Sequence, residues 1–420
     1  MTQDPPTTGT AQPVLPFEGL VVIDLGQIYN GPYCALMFAH LGADVIKVES
    51  PRGELLRYRS DPGVESREFM MLNSSKRSLP LDLKSDDGRS TFLDLVDKAD
   101  VLIENFSIGV MERLGLGYDT LHERNPRLVY AQGTGYGAEG PHAGLQAMDL
   151  TVQAIAGAMS TTGFPDGPPV KTGPAFMDFM AGIHLFGGAV SALYRRERTG
   201  EGSFVTASMY DSVVPTLASP LAASESGANV PERTGNRHSG LSVAPYNVYP
   251  TNDGYIAIFC VSNRHWRRLL ACMESEHLLD DVRLATPHTR AKYIDEVDDL
   301  VAAWTSTHGK VDVASMLRTE GVPSAPVQTV AEVRHDPHLL ANGMMQTVAH
   351  PVLGEVAVPG CAIRFDGPYP VSAPAPQLGA DTDAILSGLL GYDSCRVKEL
   401  LDSGATTNSG PIISNERESA

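Results

Sequence analysis

Gly19-Leu-Val-Val-Ile-Asp-Leu-Gly26 is a nearly unbroken apolar run closed at each end by glycine. A strand with one wet face alternates in polarity; this run does not, so it reads as a strand buried on both faces of a parallel sheet. Gly31-Pro32 follows as a turn, then a helical segment over Tyr33-Cys-Ala-Leu-Met-Phe-Ala-His40, then a second strand at Asp44-Val-Ile-Lys-Val-Glu49. Strand, helix and strand in that order make a βαβ unit.

The alternation continues outward from there. Ser85-Asp-Asp caps a helix through Phe92-Leu-Asp-Leu-Val-Asp97, which leads into a strand at Val101-Leu-Ile-Glu-Asn105. Arg127-Leu-Val-Tyr-Ala131 is a further strand and ends in the glycine-rich turn Gly133-Thr-Gly-Tyr-Gly137. The pattern predicts an α/β fold: a Rossmann-like, doubly wound parallel-sheet large domain with ligands near the carboxyl ends of the strands. Beyond Asp211 the sequence turns loop-rich, and periodicity returns as a hairpin at Tyr246-Asn-Val-Tyr-Pro and Gly254-Tyr-Ile-Ala-Ile-Phe-Cys260 around Asn252-Asp-Gly. Helices over 264–273 and 294–306 complete a smaller α+β domain. The expected organisation is a disordered leader over 1–16, the large domain over 17–215, a linker over 216–240, the small domain over 241–335, a return to the large domain over 336–400, and a disordered tail over 401–420.

A chain of 420 residues exceeds what one core usually serves, in keeping with two domains. The formal charge of −18 opposes general affinity for nucleic acid or anionic membrane, so a phosphorylated ligand needs a local cationic pocket. Cys34, Cys260, Cys272, Cys361 and Cys395 are odd in number, widely spaced and without metal-ligand spacing, so no metal site is expected and they read as free buried thiols. The first residues lack the basic start and apolar core of a secretory signal, and no segment reads as long and apolar enough to span a bilayer, so a cytoplasmic location is expected.

Asp178 is the strongest candidate for chemistry. Lys171-Thr-Gly-Pro-Ala-Phe-Met-Asp178-Phe-Met-Ala-Gly-Ile-His-Leu-Phe-Gly-Gly places one carboxylate where an extended segment enters an apolar helix. Free amides and the positive dipole end there favour an ionised, aimed carboxylate. Asp is also a preferred N-cap, and the local sequence alone fits plain capping.

Further stretches decide between the two. Ala189-Val-Ser-Ala-Leu-Tyr-Arg-Arg-Glu-Arg-Thr-Gly200-Glu-Gly-Ser-Phe-Val-Thr-Ala-Ser-Met-Tyr-Asp211, Gly31-Pro32, Leu41-Gly-Ala-Asp-Val-Ile-Lys-Val-Glu49, Ser75-Lys-Arg-Ser78, Leu81-Asp-Leu-Lys84, Val101-Leu-Ile-Glu-Asn-Phe106, Asn125-Pro-Arg127 and Ala325-Pro-Val-Gln-Thr-Val-Ala-Glu-Val333 occur in register from about Phe17 to about Leu390. Their ordered set resembles the family III CoA-transferases. The resemblance implies that Asp178 is the residue acylated in turnover and that the substrates are an acyl-CoA and a free carboxylic acid. It also implies that CoA binds as substrate with no tightly held cofactor, and that two ring-like chains interlock as a homodimer. It places CoA along the large domain, at Tyr29 and Asn30, at Leu81, Asp82, Leu83 and Lys84, and at Asn105, Phe106 and Arg113. Lys84 and Arg113 would face phosphates and Phe106 the adenine.

The departures are informative too. Related racemases carry His one residue before the position of Asp149, where this chain has Met148, and a thioether accepts no proton. Related formyl-CoA transferases carry a tetraglycine loop where Arg237-His-Ser-Gly240-Leu-Ser has one glycine. Gly26, Gly31 and Glu49 also suggest a dinucleotide-binding unit, but Gly-x-Gly-x-x-Gly is missing. A racemase and a noncatalytic acyl-CoA-binding protein remain alternatives.

Overall fold

The structure is a computed structural model and describes residues 14–59, 65–227, 231–365 and 370–408. Strands β1 (Val21–Asp24), β2 (Asp44–Glu49), β3 (Arg77–Pro80), β4 (Val101–Glu104), β5 (Val129–Thr134) and β6 (Ser203–Ser208) form one parallel sheet in the order β3-β2-β1-β4-β5-β6. The order reverses between β1 and β4, the place where an open parallel sheet opens a crevice beyond its carboxyl edge. The connecting helices are α1 (Asn30–His40), α2 (Arg67–Asn73), α3 (Asp86–Val96), α4 (Val110–Arg113), α5 (Tyr118–Arg124), α6 (Asp149–Ile155), α7 (Phe176–Thr199) and α8 (Met209–Val213).

The inner strands are buried on both sides because both sides are covered, while the edge strand β6 leaves Phe204 and Thr206 exposed. Val22, Val45, Val101, Ile103, Val129 and Ala131 pack with Cys34, Ala35 and Phe38 of α1 and Leu185, Ala189 and Leu193 of α7. Ile23, Ile46, Leu102 and Tyr130 point the other way, against Phe92 and Leu95 of α3, Leu121 of α5, and a C-terminal layer containing Ile385, Leu386 and Leu400. Ser85 caps α3 as expected, its hydroxyl accepting from the Gly88 amide at 3.0 Å. Two boundaries move. Helix α1 begins at Asn30, with Gly31 and Pro32 inside its first turn, where a missing amide hydrogen costs nothing. β5 runs on through Gly133 and Thr134, because β6 supplies partners at Ala207 and Ser208.

Two compact units divide the chain. One gathers the residues through Val152, Ala175–Ser212 and those from Asp336 onward; the other gathers Gln153–Pro174 and Val213–His335. The segment 153–174, read with the large domain from sequence, groups with the second unit. So does the expected linker, which contains α9 (Ala218–Glu225). The second unit carries the antiparallel sheet of β7 (Tyr246–Thr251), β8 (Gly254–Phe259) and β9 (Ser324–Pro326), with a two-residue turn at Asn252 and Asp253. Its core joins Tyr249, Ile256 and Ile258 to Trp266 and Leu269 of α10 (Asn263–Cys272). Helices α11 (Pro287–Lys292), α12 (Ile294–Thr305), α13 (Lys310–Thr319) and α14 (Val330–Arg334) complete it.

The chain then re-enters the first unit through α15 (Pro337–Ala341), the hairpin of β10 (Met345–His350) and β11 (Gly354–Pro359), a π-helical turn (Ala384–Leu389) and α16 (Ser394–Asp402). Residues 1–13 of the expected leader and 409–420 of the expected tail lie outside the described residues. The tail reading fails for 401–407: Asp82 donates its amide to Ala405 at 2.8 Å, and the Thr406 hydroxyl donates to Pro80 at 2.6 Å. Backbone pairing beside β3 orders a stretch whose small polar residues suggested disorder.

Two composition readings also change. Helix α7, with 24 residues and a mean hydropathy of 1.4 in its most apolar window, has the length and composition of a membrane span. Its apolar character has another use here, since Met177, Ala181, Leu185, Phe186, Ala189 and Leu193 are buried in the unit, most of them against the sheet and α1. Gly182 allows the closeness, as a Cβ there would stand 2.8 Å from the Asn30 carbonyl oxygen. All five cysteines are free, but Cys395 is exposed and Cys272 only half-buried.

Candidate active site

A cavity of 530 Å³ opens at the carboxyl edge of the sheet, at the β1–β4 reversal. Its wall comes from the loop after β1 (Gln27, Ile28, Asn30), the loop after β4 (Asn105 to Ile108), the end of β5 and its glycine turn (Gly133 to Gly137), Leu145 to Met148, Met209 and Asp178. Asp178 is the one carboxylate among the described lining residues.

Asp178 is not a cap. Helix α7 starts at Phe176 with Ala175 as its N-cap and no side-chain capping bond, which puts Asp178 at the third helical position. The acceptor for the first amides comes from elsewhere in the chain: Asp149 Oδ2 accepts from the Met177 amide at 2.8 Å and the Asp178 amide at 3.5 Å. The Asp178 carboxylate is thereby released from local capping and left half-buried beside the cavity. Burial, and second the charge of Asp149, push its pKa up to about 7. At acidic pH the expectation that the helix end keeps it ionised is therefore reversed: the helix dipole loses to desolvation and a like charge. Replacing Asp149 by Asn keeps an oxygen for Met177 but removes that charge. We expect the midpoint of the pH–rate profile to move to lower pH, read from kcat/KM between pH 5 and 9; an unmoved midpoint would show that Asp149 does not act on Asp178 electrostatically.

The loop after β1 is held from below by buried charge. Asp24 Oδ1 accepts from the Gly26 amide at 2.7 Å, Lys47 Nζ donates to the Gly26 carbonyl at 2.7 Å, and Glu54 Oε2 accepts from the Ile28 amide at 3.1 Å. Lys76 Nζ donates to Asp24 Oδ2 at 2.7 Å, to the Pro32 carbonyl at 2.9 Å and to Asn73 Oδ1 at 2.8 Å. Burial alone would raise Asp24, but Lys47 and Lys76 hold it below its ordinary value. Burial also draws Lys76 down to about 8 against the attraction of Asp24. The bracing fixes Ile28 at φ 63°, a conformation that a β-branched residue adopts only under constraint, at the cavity wall.

The structure brings together Asp178, Asn30, Asn105 and Phe106 of the sequence-derived residues. Asn30 is 2% exposed, and its Oδ1 has no hydrogen-bond partner. Asn105 accepts from the Gln27 amide at 2.7 Å and donates to the Gln27 carbonyl at 2.9 Å, locking two loops together. Phe106 is half-buried, lying both on the core and on the cavity. Tyr29 does not line the cavity; its ring stacks on Phe179, with centroids 5.8 Å apart, and burial raises its phenol. Leu81 is a core residue at 1% exposure and Leu83 packs against that core, while Asp82 turns the chain by accepting from the Lys84 amide at 3.1 Å. Lys84 and Arg113 are exposed and, like Leu81, Asp82 and Leu83, stand outside the cavity wall. His142 forms an aromatic group with Tyr136 and Tyr210 beside the wall, and the His184 ring pairs with the Met180 carbonyl.

Sequence reasoning missed the restraint exerted by Asp149 and the wall residues Gln27, Ile28 and Gln146. A carboxylate before a helical run was the only available signal for Asp149, and nothing local marks Ile28. Gly133 shows how tight the wall is. A Cβ there would stand 2.8 Å from Asn30 Oδ1, so Gly133→Ala is expected to displace Asn30 and lower kcat/KM roughly 10–100-fold with the fold retained. Unchanged kinetics would show that Asn30 is not held by that contact.

Comparison with known proteins agrees with this geometry. Residues 17–382 match the model of CoA-transferase family III. The chain is 35% identical over 410 residues to a formyl-CoA:oxalate CoA-transferase of Streptomyces coelicolor, covering 92% of this chain and 98% of that protein. It is 37% identical over 364 residues to a succinyl-CoA:mesaconate CoA-transferase of Haloarcula hispanica, covering 84% and 91%. A crystal structure of a CaiB/BaiF family protein from Brucella suis superposes with a TM-score of 0.80 at 33% identity, over 90% of this chain and 100% of that one. With the cavity at the switch point of its sheet and this match over most of its length, the chain belongs to CoA-transferase family III.

Proposed function

We propose that the enzyme moves CoA from an acyl-CoA to a free carboxylic acid through covalent adducts on Asp178. The observation that carries the reading is the placement of one carboxylate, released from helix capping by Asp149, against a cavity at the sheet's switch point.

The Asp178 carboxylate attacks the thioester carbonyl carbon, the C–S bond breaks, and CoA leaves as thiolate, giving an acyl-aspartyl anhydride. The thiolate attacks the Asp178 side-chain carbonyl, expels the donor acid as carboxylate and leaves an aspartyl-CoA thioester. The acceptor carboxylate attacks that thioester and releases the thiolate. The thiolate then takes the acceptor acyl group and regenerates Asp178. No proton is consumed and thioester energy is conserved. Water hydrolyses each intermediate, so the half-buried Ile28 and Phe106 beside Asp178 suit the chemistry, while Ile108 and Met148 are exposed at the wall. Phe106 offers a ring at the wall, and the exposed Lys84 and Arg113 suit phosphates at the surface. The racemase alternative loses support because Met148, on the cavity wall, cannot move a proton.

Relatives named for oxalate and mesaconate make small dicarboxylates the first acceptors to test, with formyl- and succinyl-CoA as donors. Incubation with each pair and mass spectrometry of the CoA esters is expected to show a product that needs both. Hydroxylamine added during turnover is expected to convert Asp178 alone to its hydroxamate. Exchange that proceeds while the Asp178 peptide stays unmodified would refute the mechanism. We extend the reading to a cytoplasmic homodimer, supported by five unpaired cysteines and by the exposed Ile183 and Tyr194 on α7. Light scattering tests the dimer.

A further inference from the structure

Glu104 ends β4 at 1% exposure and points into the unit, not into the cavity. Its Oε2 accepts from the Phe106 amide at 2.7 Å, while Oε1 accepts from Gln132 Nε2 at 2.6 Å and from the Tyr130 hydroxyl at 3.3 Å. Gln132 and Tyr130 stand on β5, so one carboxylate ties the exit of β4 to its neighbour strand. Asn105, between Glu104 and Phe106, carries the connection on to Gln27. Through these bonds and the peptide links of Glu104-Asn105-Phe106, the cavity walls after β1 and β4 are tied to β5, with Glu104 at the junction.

None of its hydrogen-bond donors is a cation. Burial pushes Glu104 up to about 7, although Gln132, the Phe106 amide and Tyr130 pull it back. A raised carboxyl pKa costs the fold stability as pH rises from 4.5 toward that value, the whole cost being present above it, and a glutamine of the same shape would avoid it. A buried carboxylate with no cation beside it, placed beneath a binding wall, fits a group that serves the site at the expense of packing.

We propose that Glu104 is a positioning residue for the CoA-ester site, fixing the Asn105–Phe106 loop as a wall before substrate arrives and so setting affinity more than turnover. The ligand's identity rests on the CoA-transferase reading above.

The test compares wild type, Glu104→Ala, Glu104→Gln and Gln132→Leu by calorimetric titration with CoA and by steady-state kinetics. Glu104→Ala is expected to raise the Kd for CoA and the KM for the ester about tenfold, leaving kcat within about twofold. Glu104→Gln accepts from Phe106 and, with the Gln132 carboxamide turned over, keeps the second bond, so it should stay within about threefold of wild type. Its melting temperature at pH 8 should equal or exceed that of wild type, because the cost of the ionised carboxyl is gone. A merely structural residue gives the reverse, lowered melting with affinity unchanged.

Unaltered affinity in folded Glu104→Ala overturns the assignment. Should that variant not fold, Gln132→Leu decides: a rise in Kd of about threefold supports the role and an unchanged Kd overturns it. Wild type that binds no CoA refutes the transferase reading and this assignment with it; wild-type binding with unaltered variants refutes this assignment alone.

Discussion

Replacing Asp178 by Asn is expected to lower CoA exchange by at least about 10⁴-fold, the order of loss seen when an enzyme's nucleophile is removed. The carboxamide has nearly the same volume and keeps an oxygen, so the cavity and its affinity for CoA should persist. Stability moves the other way. Asp178 is raised from 3.8 to about 7 in the fold, so its ionisation weakens the folded state as pH rises through 7 and has no effect below 4. Asn removes that cost. After discounting for its partial exposure, a gain of roughly 1–2 kcal/mol is expected at pH 8 and none at pH 4, measured by denaturant unfolding at the two values. Since attack needs the ionised form, wild-type kcat/KM should climb through pH 7 to a plateau. Exchange that survives in the Asp178→Asn protein, checked by mass spectrometry for reversion to Asp, would end the nucleophile assignment. A stability gain equal at both pH values would remove the burial argument.

Lys76→Met is expected to be the most destabilising single change among the groups described, by about 3 kcal/mol at pH 7. Lys76 and Asp24 are both fully buried, and the ammonium also holds the Pro32 carbonyl and Asn73. Removing it leaves Asp24 with Lys47, whose ammonium is 3.8 Å away and already committed to the Gly26 carbonyl. The dominant cost is a buried carboxylate without adequate compensation. The sign follows from Asp24. Its folded pKa is depressed, so its contribution is present above 3.8 and fades as pH falls through the lower folded value. The loss caused by Lys76→Met should therefore shrink as acid protonates Asp24. Asp24→Asn combined with Lys76→Met removes both charges and keeps an oxygen for the Gly26 amide, so the pair should be less damaging than Lys76→Met alone. Denaturation in which the double variant is the weaker would show that Lys76 acts through Pro32 and Asn73 and not through charge. Activity should fall as well, because this charge cluster holds the turn that presents Ile28 and Asn30.

Four of the six strands were legible in the chain because parallel strands buried on both faces leave a local mark; β3 (Arg77–Pro80) and the half-exposed β6 (Ser203–Ser208) carry no such mark and were not read. Leu20 to Leu25, apolar but for Asp24, is closed by glycines, and Asp44 to Glu49 and Val101 to Asn105 carry Val-Ile and Val-Leu-Ile centres that need no partner to be read. The hairpin at Asn252 and Asp253 and the Ser85 cap were equally local. The small displacements at α1 and β5 came from neighbours: Pro32 fits a first turn, and β6 extends β5 by pairing.

The site was only half legible. Asp178, Asn30, Asn105 and Phe106 sit on ordered motifs and converge on one cavity, while Leu81 to Lys84, Arg113 and Tyr29 lie outside its wall. Sequence alone determined four of the six parallel strands, the hairpin, several helices and which carboxylate stands at a helix entrance, because periodicity and capping are properties of neighbouring residues. Only the tertiary structure decided how that carboxylate titrates and what holds the walls around it. Asp149 reaches Met177 across 28 positions, Glu104 meets Gln132 across 28, and Asp24 meets Lys76 across 52. Desolvation and Coulomb energy depend on distance in space, and the chain reveals that distance only once it has folded.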